Sequence, residues 1–185
     1  NSNKTGKKIV LLNFPNNPTG YTPAKEEMKE IVSIINESAN QGNKIVVIID
    51  DAYFGLVYEE GIEKESIFSA LAGLHKNVLA VKLDGATKED YVWGFRVGFI
   101  TYGIKDGTKE LYGALEDKTA GAIRGNISNA CNLSQSLVMQ AYKSQGYAKE
   151  KAAKYKILKG RYDSVKKVLA DSKYQEFFTP LPHNS

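Results

Sequence analysis

Three reactive side chains in this sequence each stand just past an apolar run: a lysine, an aspartate and an asparagine. Lys88 lies in Asp84-Gly-Ala-Thr-Lys88-Glu-Asp-Tyr-Val-Trp-Gly-Phe-Arg96-Val-Gly98, after the run Val78-Leu-Ala-Val-Lys-Leu83. A lysine presented at the end of a buried strand is partly desolvated. Desolvation disfavours the ammonium and frees the amine for Schiff-base chemistry. Arg96 follows eight residues later, and its planar fork suits a phosphate. Asp50 opens Asp50-Asp-Ala-Tyr53 after Lys44-Ile-Val-Val-Ile-Ile49. Asn17 sits in Phe14-Pro-Asn-Asn17-Pro18-Thr19-Gly20. Two prolines and a glycine make that turn rigid, so its amide is offered at a fixed place with little entropy left to lose on binding.

The elements that must hold these groups follow from the apolar pattern. Lys8–Asn13, Lys44–Ile49 and Val78–Leu83 are short, nearly continuous apolar runs and read as buried strands. Between the first two, Thr22 is expected to cap a helix opening at Pro23. Its stripe is Met28, Ile31, Val32 and Ile35, with Gly42 beyond its end. A short helix is expected over Glu65–Leu74, and Arg96 opens a fourth strand through Tyr102. Strand–helix–strand alternation predicts an α/β fold with a mostly parallel sheet and flanking helices. Ligands of open α/β sheets bind beyond the strand C-termini. That is where Asn17, Asp50 and Lys88 fall.

From Asp106 the pattern turns helical, with segments at about 108–122 and 134–143 and a long one at about 148–171. Tyr155, Leu158, Tyr162, Val165 and Leu169 recur along the last at steps of three and four. This stripe reads as a face packing on its own domain. Residues 1–7 are polar and read as loose.

Composition bounds the function classes. The chain has 185 residues, enough for one sizeable core, and its 42% hydrophobic content is that of an ordinary globular protein. The net charge of +4 comes mainly from lysines of the late helix, with no recognition motif beside them. No nucleic-acid partner is therefore expected. No run reaches membrane-spanning length and the N-terminus has no signal pattern, so no membrane is expected. One cysteine, Cys131, excludes an internal disulfide and suits a reducing, cytoplasmic setting. His75 and His183 have no metal-ligand partner by spacing, so no metal is expected.

The stretch around Lys88 resembles the lysine signature of the class I/II aminotransferases, the pyridoxal phosphate enzymes of the aspartate aminotransferase fold type. Gly85, Thr87, Lys88, Arg96 and Gly98 fit that pattern. Tyr91 does not, because the family has a smaller residue there, and Gly85 stands where the family often has a phosphate-binding serine. Asn17-Pro-Thr-Gly20 resembles the family's asparagine–proline turn, and Asp50-Asp-Ala-Tyr53 its aspartate and tyrosine three apart. Ile123-Arg124-Gly-Asn126-Ile-Ser128-Asn129 is similar to a segment whose arginine crosses a dimer interface.

The resemblance implies roles residue by residue. Lys88 would hold pyridoxal phosphate covalently and act as the catalytic base. Arg96 and Thr87 would bind the phosphate, and Asn17 and Tyr53 the phenolic oxygen. Asp50 would pair with the ring nitrogen; Asp51 competes for that role, and the spacing of three to Tyr53 selects Asp50. Arg124 would bind the distal carboxylate of a substrate. Amino acids of aspartate or aromatic type and 2-keto acids are the implied substrates, in a homodimer when full length. The fourth strand would run antiparallel.

Residues 1–145 would be the later part of a large domain, and 146–185 a linking helix approaching a small one. The chain then reads as an incomplete, inactive fragment. The alternatives are a C–S lyase using the same cofactor, or a non-enzymatic sensor domain of a transcription regulator, although no helix–turn–helix signal is present.

Overall fold

The computed structural model describes residues 5–185; the polar residues 1–4 lie outside them. The elements run β1 (Lys7–Asn13), α1 (Lys25–Asn40), β2 (Lys44–Asp50), α2 (Phe68–Leu71), β3 (Val78–Gly85), α3 (Ala86–Glu89), β4 (Gly98–Ile104), α4 (Lys109–Asn126), α5 (Asn132–Lys143), α6 (Tyr147–Leu169) and α7 (Ser172–Gln175). A 3-10 turn at Trp93–Phe95 precedes β4. The sheet order is β1-β2-β3-β4. The first three strands are parallel and β4 is antiparallel, as the family resemblance implies.

One face of the sheet carries the core. Ile45, Val47 and Ile49 of β2 and Val78 and Ala80 of β3 are buried against Met28, Ile35 and Ala39 of α1 and Leu71 of α2. Ile31, Val32, Val10 and Leu12 pack at its margin. The stripe on α1 is thus the expected one, and burying each such aliphatic side chain contributes about 1.5–3 kcal/mol. A second, smaller cluster joins Ala86, Val97 and Val138, tying the lysine-bearing turn to α5.

The other sheet face is only partly covered. Tyr102 on β4 meets Thr119 of α4 at 2.5 Å, but Ile9 and Leu11 of β1 are 74% and 65% exposed. The apolar run of β1 predicts burial on both sides. Its position at the sheet edge leaves alternate residues uncovered by any described element.

The entrance to α1 also differs from expectation. Thr22 is not its cap and Pro23 does not open it: the helix starts at Lys25, with Ala24 before it and the Glu27 carboxylate accepting the Ala24 N–H at 2.8 Å. Thr22 is buried because the C-terminal segment claims it. The Asn184 side chain accepts the Thr22 N–H at 2.9 Å and donates to the Thr22 carbonyl at 2.8 Å. Asn184 and Ser185 N–H groups both reach the Gly20 carbonyl. The helix expected over 65–74 shortens to Phe68–Leu71.

Two stability tests follow. A Cβ on Gly103 of β4 would stand 2.5 Å from the Ala72 Cβ and 2.9 Å from its Cα. Gly103→Ala should destabilise by about 1–3 kcal/mol, whereas Gly73→Ala, with open space at that position, should stay within about 0.5 kcal/mol; urea titration measures both. Asn184→Ala leaves the buried Thr22 amide unpaired and should cost about 1–3 kcal/mol. Hydrogen exchange should then speed at Thr22 and stay slow at Val47.

Candidate active site

The register puts Asn13, Asp50 and Leu83 in one row across the three parallel strands. The segments leaving the sheet beyond that row carry the candidate residues. The Asn13 side-chain amide donates to the Asp50 carbonyl at 3.2 Å, joining the first two strand ends.

After β1 the chain turns through Phe14–Gly20, held by its own polar groups. The Asn16 side chain donates to Asn13 Oδ1 at 2.8 Å, and its oxygen accepts from Thr19 Oγ1 at 2.6 Å. The Gly20 N–H bonds the Asn16 carbonyl at 2.8 Å. This leaves the neighbouring Asn17 pointing outward, where its Nδ2 donates to the Tyr53 hydroxyl at 2.9 Å. Two residues sequence reasoning paired through one ligand atom are thus already hydrogen-bonded to each other.

After β2, the Ala52 N–H donates to Asp50 Oδ1 at 3.1 Å, and the turn at Asp51–Phe54 brings Tyr53 back over the site. The Lys88 ammonium lies 4.9 Å from the centre of the Tyr53 ring, a cation–π contact. Lys88 is half-buried, in the one-turn helix α3. Arg96 sits at φ +53° just before β4. This left-handed conformation lets the backbone pass from the Trp93–Phe95 turn into the strand.

A pocket of about 280 Å³ lies among Asp50, Asp84, Thr87, Lys88, Arg96 and the Gly85–Gly98 strand ends. It gathers four of the expected residues, Asp50, Thr87, Lys88 and Arg96, with Asn17 and Tyr53 hydrogen-bonded beside it. Its size is near the lower limit for ligand pockets. Its donor set fits a small phosphorylated heterocycle: a guanidinium and a hydroxyl for phosphate, an amine, and a carboxylate for a ring cation. A larger cavity, about 530 Å³, is a different place between α5, α6 and the 91–95 loop, and contains none of those four residues.

Adjacent acids Asp50 and Asp51 have different surroundings. Asp50 lines the pocket. Asp51 is 3% exposed and lies 3.5 Å from Lys82 Nζ. Burial pushes its carboxyl above the usual range, against a hydrogen bond from Ser66 and the charge of Lys82. Lys82 also pairs with Asp84 and stands 5.0 Å from the Phe54 ring centre. Burial works against the Lys82 charge, but the bond and attraction to Asp84, with Asp51, raise its amine above the ordinary lysine range. Sequence reasoning gave Lys82 and Asp84 no role. The available signal was a lysine and an aspartate two apart on a strand, hence on one face.

Arg124 is not brought to the pocket. It is exposed in the last turn of α4, where its Nη1 donates to Ser128 Oγ at 2.5 Å.

The family model described as aminotransferase class I and II matches residues 1–182. The chain is 34% identical over 98 residues to the glutamate-pyruvate aminotransferase AlaA of Haemophilus influenzae, covering 53% of this chain and 22% of that protein. It is 29% identical over 137 residues to the aspartate aminotransferase of Bacillus sp. strain YM-2, covering 73% and 30%. The crystal structure of an aminotransferase from Anaerococcus prevotii superposes with a TM-score of 0.78 at 24% identity, over 96% of this chain and 43% of that one. That likeness carries the fold. The chain therefore spans less than half the length of the proteins it matches. By the match of residues 1–182 to the family model, the chain belongs to the aminotransferase class I and II family.

Proposed function

We propose that this chain forms the lysine-bearing part of a pyridoxal phosphate site in an amino-acid aminotransferase, moving an amino group between an amino acid and a 2-keto acid. The observation that carries this reading is the single pocket joining Lys88, Asp50, Thr87 and Arg96. The named relatives act on different amino acids, so the reading reaches the amino-acid class. Aspartate or aromatic substrates are the finer proposal, supported by Arg124, whose fork suits a distal carboxylate. Arg124 is exposed and away from its own pocket, which suits action across a homodimer interface in the whole protein. Residues 146–185, α6 and its tail, would then lead from the large domain toward a small one. Among the described residues no helix is long and apolar enough to cross a membrane, and a cytoplasmic setting is part of the same proposal.

Pyridoxal phosphate, when bound, supplies an electron sink for the carbanion left by removal of the α-proton. The residues here divide the remaining work. Arg96 and Thr87 would hold the phosphate, one as a permanent charge and one as a hydroxyl. The Asp50 carboxylate would pair with the ring nitrogen and favour its protonated form. Asn17 and Tyr53 would share the phenolic oxygen; their mutual hydrogen bond preorganises both. The Lys88 amine removes the α-proton as base and returns it as acid. The aromatic face of Tyr53 beneath it limits where that amine travels.

Borohydride reduction of the pyridoxal phosphate-loaded protein should fix the cofactor to Lys88, read by peptide mass mapping. Trapping on another lysine, with Lys88→Ala unaffected, would reassign the role. In the full-length enzyme, Asp50→Ala should lower the turnover rate on the order of a thousandfold, because a buried ring cation loses its counter-ion. Asp51→Ala should cost less than about tenfold. The reverse ranking would move the ring contact to Asp51.

A further inference from the structure

Lys88 is followed directly by two acids, Glu89 and Asp90. Uncompensated, they would hold the neighbouring amine in its charged, unreactive form. Both are engaged elsewhere. Lys151 Nζ on α6 lies 2.6 Å from Glu89 Oε1 and 3.3 Å from Asp90 Oδ1. The Tyr142 hydroxyl on α5 donates to Asp90 Oδ2 at 2.7 Å, and the Tyr147 hydroxyl donates to Asp90 Oδ1. Tyr147 and Lys151 are four apart on α6, so they share a face, and Lys151 Nζ also donates to the Tyr147 hydroxyl at 3.3 Å. The rings of Tyr142 and Tyr147 meet edge to face at 5.3 Å. Among the described residues, Lys88 itself has no ion-pair partner; its contact is the Tyr53 ring.

The anchoring has a second consequence. A four-residue helix such as α3 does not hold its own shape in water. Its leading side is tied to the strands, where the Ala86 N–H reaches the Val97 carbonyl at 3.2 Å. Its trailing side is tied through this network, a turn at Asp90–Tyr91, the latter at φ +59°, and the packing of Val92 and Phe95 on the Ala86–Val97–Val138 cluster. Lys151 lies sixty-three positions after Lys88 in the chain, yet it sets the end of the turn that carries Lys88.

We propose that Lys151 is a positioning residue for Lys88: by pairing with Glu89 and Asp90 it removes two carboxylates from the amine and anchors its turn. This deepens the reading of Lys88 as the cofactor lysine and rests on it. The network fits the charge balance as well. Burial works against the Lys151 charge, but hydrogen bonding and attraction to Glu89, then Tyr147 and Asp90, raise its amine above the ordinary range. Lys151 is therefore a cation throughout the neutral range.

Competitive acetylation with acetic anhydride reads the reactivity of each lysine by peptide mapping, with no cofactor present. In the 185-residue chain, Lys151→Met should slow labelling of Lys88 about threefold or more relative to the other lysines, a size set by charges several ångströms apart near a surface. Lys151→Arg should restore it. Glu89→Gln in the Lys151→Met background should also restore it, because the freed carboxylate is gone. Should Lys151→Met fail to fold, Glu89→Gln alone decides: labelling of Lys88 faster than in the parent supports the proposal, and unchanged or slower labelling overturns it. Unchanged labelling in Lys151→Met, or slowing shared by all lysines, also overturns it. Borohydride trapping of pyridoxal phosphate reports the cofactor role separately, so failure of that reading is distinguishable from failure of this one.

Discussion

The in-register end of three parallel strands is the constraint on which the site depends. Hydrogen bonding aligns Asn13 with Asp50 and Asp50 with Leu83. Segments leaving a common level must pass close to one another. The segment after β1 delivers Asn17, the one after β2 delivers Tyr53, and the one after β3 delivers Thr87 and Lys88. A slip of one residue in any pairing would turn Asp50 away from the pocket and Asp51 toward it, because side chains alternate across a strand. The antiparallel β4 then returns Arg96 to the same level, since Gly98 pairs with Gly85. Asn17, Asp50, Tyr53, Thr87, Lys88 and Arg96 thus all depend on one ladder.

Much of this was legible because the strands are apolar on the core side and end in punctuating residues. The Lys44–Ile49 run could hardly be anything but a buried strand, and the stripe from Met28 to Ile35 specified the helix before it. The positions of Asn17, Thr87 and Lys88 beyond strand ends, and of Asp50 at the end of β2, followed from the same pattern. What failed was local capping chemistry. Thr22 followed by Pro23 is a good helix opening by local rules, but Asn184, more than 160 residues later, satisfies the Thr22 backbone instead. A pattern read locally has no access to that competition. Glu27 takes the capping role by bonding the Ala24 amide.

The pairing of acids was legible only in part. Asp50 and Asp51 are chemically identical and adjacent, and composition cannot rank them. Alternation puts them on opposite faces, and the surroundings then differ: pocket for one, the Lys82–Asp84 cluster for the other. A partly buried cation between two carboxylates is costly to desolvate, and such arrangements hold geometry more surely than they add stability. Here they fix the ends of β2 and β3, since Asp51 follows one strand and Lys82 and Asp84 belong to the other. Lys82 interrupts an otherwise apolar run, and that interruption was the mark of the cluster.

The remaining illegible part has one physical origin. The pocket is built from turns, whose backbone groups lack ladder partners and must be satisfied by side chains. Those side chains come from far along the chain: Asn184 for the turn that ends at Thr22, Tyr155 for the Val57 carbonyl at 2.5 Å, Lys151 and two tyrosines for the acids after Lys88. Tyr155 belongs to the α6 stripe, but Asn184 and Lys151 act through directional bonds that no apolar period records. The stripe on α6 shows the difference. Tyr155 and Tyr162 reach the body of the domain through their hydroxyls, to Val57 and to Glu59 and His183, while Val165 of the same stripe is 56% exposed. Hydrophobic spacing identified the face of α6 and part of the force that seats it, since the Tyr155 and Tyr162 rings lie 5.5 and 5.0 Å from the Tyr58 ring. Hydroxyl and ammonium contacts add to that seat, and they end on the segments that carry Tyr53 and Lys88. A helix held in this way transmits its position to the site through directional bonds, which a greasy seam of the same length would do only loosely.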